Sequence, residues 1–203
     1  MLEKRIITIS RELGSGGNSV GKLLADKLGI KFYNRELVEH IAAESGFTRE
    51  FVRKNTENSK AKGFLRYLFG TTENTDAMNG LSTEDFLWLC QYKVISRLAE
   101  ESPCVIVGRN ADYILRDRQD TLNVFIHADM NFRKKRICHL YGIGPKAAEQ
   151  KIQDTDRLRR NNYKRYSSQD WGMAQNYDLC LSSSELGIDL CAELVAQCYK
   201  SNN

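Results

Sequence analysis

A glycine-rich turn between an apolar segment and an amphipathic one is the feature that most constrains the fold of this chain. Residues 6–9 read IITI, residues 14–19 read GSGGNS, and Val20, Leu24 and Leu28 then recur at helical spacing. This order predicts a β-strand, a tight turn and an α-helix. Glycines let the main chain approach an anion closely, and the first N–H groups of a helix point out of its end. The turn is therefore predicted to bind phosphate.

Two alignments of this turn with a phosphate-binding loop can be drawn. In the first, Gly16, Gly21 and Lys22 match a P-loop pattern, but Leu23 stands where a Ser or Thr would coordinate Mg²⁺. Lys22 then lies inside the helix, roughly 7 Å along the helix axis from Gly17. We therefore expect Lys22 to be a solvent-exposed helix residue.

We prefer the second alignment, in which Ser19 supplies the hydroxyl group at the start of the helix. Its phosphate-binding residues are Gly14, Ser15, Gly16, Gly17, Asn18 and Ser19. This turn contains no lysine, and Arg11 at its mouth is the nearest cation in the sequence. The alternative is a tight strand–helix connection that binds nothing.

The composition is that of a single domain, 1–203, in which 41% of the residues are hydrophobic. A net charge of +4 is too small to indicate nucleic-acid binding, and no apolar run is long enough for a membrane span or an export signal. We therefore expect a cytoplasmic protein with a small-molecule substrate and no nucleic-acid or membrane partner. The sequence does not indicate its oligomeric state. The six cysteines form no CxxC pair and are predicted to be buried, reduced thiols. The three scattered histidines give no metal-binding spacing.

Five short, mostly apolar segments alternate with helical patterns, which predicts an α/β fold with a parallel sheet covered on both faces. The strands are expected at 5–10, 31–33, 104–107, 122–126 and 178–181, and the helices at about 19–28, 35–45, 82–101, 131–141, 145–166 and 187–199. Ser82 begins a capping box, Asn131 is expected to cap the next helix, and Pro145 suits a first helical turn. Residues 46–81 interrupt the alternation with four glycines and a polar stretch at 71–76, and we interpret them as an insertion beside the site or a surface loop.

The third strand is followed by a second group of candidate site residues, Gly108-Arg109-Asn110-Ala111-Asp112. Ligands of open α/β sheets bind at the carboxyl ends of the strands, where this group lies. The planar guanidinium of Arg109 matches the oxygens of a phosphate group, so Arg109, Asn110 and Asp112 are predicted to bind an acceptor. A purely structural ion pair between Arg109 and an aspartate is the alternative.

Positive charge is concentrated in the third quarter of the chain, in the run 133–136 and on a predicted helix around 157–165. Arg157, Arg160 and Lys164 are three and four residues apart and therefore share one helix face. Such a face could close over a polyphosphate and stabilise the charge of a transferring phosphoryl group. A merely solvated basic face is the competing interpretation.

These segments, in this order, resemble the cytidylate kinase-like family, a branch of the P-loop nucleoside monophosphate kinases. The resemblance covers nearly the whole chain and extends to LGIKFYN at 28–34, VGRN at 107–110, FIHA at 125–128 and YDL at 177–179. It implies a three-layer P-loop fold with a five-stranded parallel sheet, an acceptor-binding insertion and an arginine-rich lid at about 142–170.

The resemblance also implies an activity, namely transfer of the γ-phosphoryl group of ATP, with Mg²⁺, to CMP, dCMP or another small acceptor. Matched by position, the turn at 14–19 would hold the ATP phosphates, and Arg109 the acceptor phosphate. Arg157 and Arg160 would bind the transferred group, with Arg11 on the donor. Ser19 would be the Mg²⁺ ligand, with Asp112 or Asp156 as a further carboxylate.

The chain departs from the family pattern at four positions. Gly17 stands where a phosphate-binding lysine is expected, Val107 and Asn110 replace two aspartates, and Asn34 replaces another. Missing hydrogen-bonding partners weaken discrimination between bases, so CMP is in doubt as the substrate. A nucleotide-binding regulatory protein without turnover is the main rival hypothesis. A nucleic-acid-binding module is a weaker rival, since the basic segments lack interleaved exposed aromatic residues.

Overall fold

Five parallel strands run through the middle of the structure, a computed structural model that describes residues 5–57 and 81–201. The strands are β1 (Ile6–Arg11), β2 (Lys31–Tyr33), β3 (Cys104–Val107), β4 (Thr121–His127) and β5 (Leu179–Ser182), in the sheet order β2-β3-β1-β4-β5. Every neighbouring pair is parallel. The predicted α/β fold is confirmed, and each predicted strand agrees with the observed one to within a residue at either end.

Helices cover both faces of this sheet. They are α1 (Gly17–Leu28), α2 (Glu36–Ser45), α3 (Arg49–Glu57), α4 (Thr83–Glu101), α5 (Ala111–Ile114), α6 (Met130–Tyr141), α7 (Pro145–Ser167) and α8 (Ser183–Ser201), with a 3-10 turn at Ala174–Asn176. Helix α8 is broken at Gly187, whose φ of 78° lies outside the helical region. None of the helices in the described ranges is long and apolar enough to cross a membrane.

Side-chain capping sets where α4 and α6 begin. Ser82 accepts a hydrogen bond from the Asp85 N–H at 3.2 Å, as its capping sequence predicts. The prediction that Asn131 caps α6 is wrong, because Asp129 occupies that position and accepts from two N–H groups of the first turn. One carboxylate thereby satisfies two otherwise unpaired donors, and α6 begins directly after it.

Alternate residues of the central strands face different helices. Ile6 and Ile106 pack with side chains of α2 and α4, whereas Ile7, Ile9 and Val105 pack with α1 and α8. All five are fully buried, and burying each such side chain contributes about 1.5–3 kcal/mol. This two-sided burial fixes β1 beside β3, so the turns that follow the two strands lie next to each other.

The segment predicted as an insertion, 46–81, begins with α3, whose Val52 is fully buried. Its polar stretch at 71–76 lies outside the described residues. Residues 142–170, expected to form an arginine-rich lid, consist mainly of α7, and Pro145 is in its first turn as predicted.

The prediction of buried cysteines holds for only some of them. Cys90, Cys104 and Cys191 are buried, whereas Cys180 is exposed because it lies on the edge strand β5. Burial raises the pKa of the Cys104 thiol to about 12. That thiol is therefore protonated and unreactive at neutral pH.

Candidate active site

The glycine-rich turn leads from the carboxyl end of β1 directly into α1. Gly14 and Gly16 have φ values of 84° and 83°, a region that favours glycine. Ser15 between them is fully buried, and its hydroxyl lies 3.0 Å from the carbonyl oxygens of both Glu12 and Ile126. The Ser15 side chain therefore holds the turn against the sheet. The first N–H groups of α1, which have no acceptors within the helix, remain for a ligand.

Gly17, the first residue of α1, is in close contact with Arg11. A Cβ atom on Gly17 would lie 2.5 Å from the Arg11 Cβ and 3.3 Å from the Ile126 Cβ. From Gly17 the Arg11 side chain extends to Gly108, against which its guanidinium group lies. An arginine from the end of β1 therefore fills the space that a lysine at position 17 would need.

Arg136 of α6 lies at the outer side of the turn, and in the sequence it is one of four adjacent basic residues, 133–136, with nothing to distinguish it from the others. Its Nη2 donates to the Ser19 Oγ at 3.4 Å, and its Cζ lies 3.7 Å from where a Cβ on Gly16 would be. Its Nε is buried and has no hydrogen-bond partner in the part of the chain that the structure describes. A guanidinium at the positive end of a helix is unfavourable unless an anion lies between them. The arrangement thus indicates an anion-binding site.

A cleft opens beside the turn, between the carboxyl ends of β1 and β3. The residues that line it are Ser10, Arg11, Asn34, Val107, Gly108, Arg109, Asn110, Arg159, Asn162 and Trp171. Arg11 and Arg109 therefore face the same space. Asn34 connects the cleft with the turn, because its Nδ2 donates to the Asn18 Oδ1 at 2.6 Å. Three guanidinium groups and three carboxamides meet here, and the lining residues within 5–57 and 81–201 include no carboxylate.

The turn after β3 holds Arg109 and Asn110 in a strained backbone conformation. Their φ values are 59° and 52°, in the left-handed region that costs a non-glycine residue about 1–2 kcal/mol. The buried side-chain amide of Gln91 donates to the Arg109 carbonyl oxygen at 2.8 Å, and the Asn110 Nδ2 donates to the Asn162 Oδ1 at 3.0 Å. Contacts from α4 and α7 therefore hold this turn, and such strain is concentrated at functional sites.

Asp112 lies beneath the cleft and does not line it. The residue is 4% exposed, and the Ser10 hydroxyl donates to its Oδ1 at 3.4 Å. Burial raises the pKa of Asp112 to about 6, and the hydroxyl groups of Tyr163 and Ser10 oppose that rise. The structure therefore places Asp112 as a support for Ser10 and not among the groups that meet an acceptor.

Arg159 is the arginine of α7 that lines the cleft, although the sequence pattern favoured Arg157 and Arg160. Its Nη1 donates to the Arg11 carbonyl oxygen at 2.8 Å. Arg157 instead pairs with Asp154 on the exposed side of the helix, and Arg160 is exposed to solvent and does not line the cleft. Successive residues of a helix are rotated by about 100° from one another, so Arg157 and Arg160, two positions and one position from Arg159, project from other faces of α7.

Within the turn, Ser19 has the solvent-exposed hydroxyl group that could contact a Mg²⁺ ion. Ser19 lies in the first turn of α1, and Mg²⁺ usually combines one or two protein ligands with phosphate oxygens and water. Asp156 is not available as a ligand, because its Oδ1 accepts from the Leu13 N–H and its Oδ2 pairs with Arg133. In the described ranges, no cluster of three or more His, Cys, Asp or Glu residues could hold a metal.

The first of the two P-loop alignments does not agree with the structure. Gly21 is buried in α1, where a Cβ would lie 2.9 Å from the Val107 Cγ2, and Lys22 is exposed as expected. Gly21 therefore serves the packing of α1 on the sheet. The turn at 14–19 is the one that contacts residues of the cleft, through Asn18 with Asn34 and Gly17 with Arg11.

Comparison with known proteins gives relatives and solved structures that cover nearly the whole chain. A family model described as the cytidylate kinase-like family matches residues 6–185. The cytidylate kinase of Archaeoglobus fulgidus is 25% identical over 191 residues, which span 93% of this chain and 91% of that protein.

Two solved structures show the same fold. The crystal structure of an uncharacterized protein from Eubacterium ventriosum has a TM-score of 0.73 at 24% identity, covering 98% of this chain and 99% of that one. Shikimate kinase from Acinetobacter baumannii, in complex with shikimate, has a TM-score of 0.54 at 16% identity and covers 98% and 95%. Because the family model extends from β1 into α8 and includes the turn, the Arg109 segment and α7, this chain belongs to the cytidylate kinase-like family of P-loop kinases.

Proposed function

We propose that the protein is a kinase that transfers the γ-phosphoryl group of ATP to a small molecule bearing a phosphate group, such as CMP, dCMP or another nucleoside monophosphate. The main observation that supports this proposal is the position of the Arg11 side chain. Its side chain covers Gly17 at the start of α1 and ends against Gly108 in the cleft. It therefore lies between the turn that would hold donor phosphates and the cleft that would hold the acceptor.

The donor phosphates are assigned to the glycine-rich turn. The main-chain N–H groups of residues 14–19 and the N-terminus of α1 would bind them, since both attract negative charge. Arg136 stands at the same helix end with its Nε unpaired in the described structure, and a phosphate would satisfy it. A Mg²⁺ ion bound to ATP, with Ser19 as its protein ligand, would neutralise part of the charge on the β- and γ-phosphates.

The acceptor is assigned to the cleft, where Arg109 and Arg159 would bind its phosphate group. Trp171 offers a ring to a nucleobase, and that ring is held edge-on against Phe125 with centroids 5.2 Å apart. The carboxamides of Asn110 and Asn162 could bind the base or the sugar. This cleft does not reproduce the carboxylates of cytidylate kinases, so the identity of the base is left to experiment.

A phosphate acceptor is favoured over a hydroxyl acceptor by the chemistry of the lining. An alcohol must lose a proton as it attacks, which requires a nearby base, whereas a phosphate oxygen is already an anion. None of the described lining residues is a carboxylate or a histidine. The acceptor oxygen would form a bond to the γ-phosphorus as the bond to the bridging oxygen of ADP breaks. Arg11 and Arg159 would stabilise the charge on the transferring group.

Transfer of label from [γ-³²P]ATP tests the proposal. The unmodified protein is incubated with Mg²⁺ and one acceptor at a time, from a panel of nucleoside monophosphates and a panel of alcohols that includes shikimate. We expect label in at least one nucleoside diphosphate and none in the alcohols. Label in an alcohol alone would contradict the proposal.

A nucleotide-binding regulatory protein is the second candidate, and it is favoured by the glycine at position 17. It predicts that ATP raises the melting temperature of the protein while no acceptor is labelled. A melting temperature that no nucleotide changes would contradict both candidates.

A further inference from the structure

Helix α7 is buried at regular intervals along its whole length. Ala148, Ile152, Asp156, Tyr163 and Ser167 are all buried, which places a covered side chain on nearly every turn. A segment that swings open needs few buried contacts and a face that tolerates water. The inner face of α7 does not meet these conditions, because Ala148, Ile152 and Tyr163 on it are buried apolar or aromatic side chains.

Asp156 joins the middle of α7 to the glycine-rich turn. Its Oδ1 accepts from the Leu13 N–H at 2.9 Å, one residue before the turn, and lies 3.6 Å from the Arg159 Nη1. Its Oδ2 pairs with Arg133 of α6. The side chains of Asp156 and Arg133 are only 3% and 6% exposed, so this ion pair is shielded from solvent.

Arg133 completes the same connection from the other side. Its Nε donates to the Leu13 carbonyl oxygen at 2.8 Å, and its Nη1 lies 3.1 Å from the Glu12 Oε2. Both main-chain polar groups of Leu13 are therefore bound by this buried pair. Moving α7 outward would break this ion pair together with the hydrogen bond that Asp156 accepts from the Leu13 N–H.

The carboxyl-terminal part of α7 is attached to α4 as well. The rings of Tyr166 and Trp88 are stacked, with centroids 4.1 Å apart and an interplanar angle of 1°, and the Tyr166 hydroxyl donates to the Glu84 carbonyl oxygen at 3.1 Å. Arg165 forms ion pairs with Glu84 and Asp85. Helix α7 is thus held at both its middle and its end.

We propose that α7 is a fixed wall of the active site and not a moving lid, and that Asp156 is the positioning residue that holds Arg159 at the cleft. Arg159 then stands in place before any substrate binds, so no helix closure is needed to complete the site. This inference rests on the proposed function for the role of Arg159. The fixed position of α7 does not depend on it.

Hydrogen exchange of the unmodified protein tests the fixed wall. Peptides that cover 152–163 are compared with peptides of β4, without ligand and with Mg²⁺-ATP. We expect protection of α7 within ~10-fold of that of β4 in both conditions. Exchange of α7 that is ~100-fold faster without ligand and is slowed by Mg²⁺-ATP would overturn the proposal. If no nucleotide binds, the proposed function fails, but the ligand-free comparison still decides whether α7 is fixed.

A matched pair of variants tests the positioning role. Asp156→Asn removes the buried charge. Asp154→Asn is the same change at the surface, where the side chain of Asp154 is 41% exposed and that of its partner Arg157 is 56% exposed. We expect Asp156→Asn to lower kcat at least ~10-fold while the KM for ATP changes less than ~3-fold, because the asparagine oxygen can still accept from the Leu13 N–H beside the donor turn. We expect Asp154→Asn to change neither. An unchanged kcat in folded Asp156→Asn would overturn the assignment. If that variant does not fold, the same comparison is made with Asp156→Glu, which keeps the charge but displaces the carboxylate by one methylene group, and an unchanged kcat there would overturn the assignment as well.

Discussion

The glycine-rich turn and the cleft beside it are both suited to anions, but they are built from different groups. The turn presents main-chain N–H groups, and its shape depends on the backbone of Gly16 and on the close contact between Gly17 and Arg11. The cleft presents the side chains of Arg11, Arg109 and Arg159. An added carbon atom should therefore be most harmful in the turn, and a lost charge most harmful in the cleft.

The largest effect on substrate binding is expected from Gly17→Ala. Its Cβ would lie 2.5 Å from the Arg11 Cβ, so either α1 or Arg11 must shift. Overpacking of this kind costs about 1–3 kcal/mol, and we expect ATP affinity, measured by calorimetry, to fall up to ~100-fold. Gly144→Ala is the matched control, because that glycine has open space around it and a φ of −69°.

Gly17→Lys distinguishes two explanations for the glycine at position 17. Either Arg11 takes the place of a lysine, or the turn has lost a lysine that it needs for activity. We expect it to lose ATP binding as Gly17→Ala does, because Arg11 already fills the space beside position 17. A gain in phosphoryl transfer would show that the turn is a lapsed lysine site, and would contradict our account of Arg11.

Arg109→Ala is expected to have the next largest effect, on the acceptor side alone. A hydrogen bond to a charged group contributes about 1.5–3 kcal/mol, so the KM for the acceptor should rise ~10- to 100-fold. The KM for ATP should stay within ~2-fold, which steady-state kinetics with each substrate varied would show. Arg116→Ala, at an exposed arginine that lies over the Tyr113 ring, is the control. Equal increases in the KM values for ATP and for the acceptor would contradict the assignment of ATP to the turn and the acceptor to the cleft.

The effect of Arg159→Ala is expected to be smaller than that of Arg109→Ala and to fall on kcat. Arg157→Ala is its control. Arg159 lines the cleft, whereas Arg157 pairs with Asp154 at the surface. We expect the first variant to lower kcat ~10- to 30-fold and the second to change it less than ~2-fold. If the two variants reversed this order, the exposed face of α7 would be the one that meets the substrate.

Asp112→Asn is expected to have the smallest effect on activity of these variants. It should instead change how the melting temperature depends on pH. Burial raises the pKa of Asp112 to about 6, so its protonated form is favoured in the folded state and its contribution to stability is lost as the pH rises through 6. Asparagine does not ionise. The melting temperature of the variant relative to the unmodified protein should rise by a few °C between about pH 4 and pH 7 and then level off. A difference that does not change with pH would show that Asp112 is not buried as a carboxylic acid.

The sequence was sufficient to predict the sheet and the turn because both depend on local features. The apolar runs of β1, β3 and β4 are buried on both faces, and only a glycine-rich segment can make the turn that follows β1. The position of Arg109 at the cleft could be predicted for the same reason, since it lies two residues after a buried strand.

The remaining cations could not be predicted because their positions depend on how distant helices are rotated and packed. Arg136 reaches Ser19 across 117 residues of sequence, and only the packing of α6 beside the turn brings them together. Arg159 lines the cleft because the buried pair between Asp156 and Arg133 sets the rotation of α7. A basic run in the sequence predicts a basic surface and does not say which arginine meets the substrate.

Single-turnover transfer from [γ-³²P]ATP by Arg11→Met tests the central claim most directly. Methionine keeps an apolar stem over Gly17 while it removes the charge that reaches Gly108. An arginine that stabilises the transferring phosphoryl group raises the rate about 10³- to 10⁵-fold in GTPases, so we predict that the rate falls at least ~100-fold while ATP still binds. A rate within ~2-fold of that of the unmodified protein would contradict the claim that Arg11 supplies the cation between donor and acceptor.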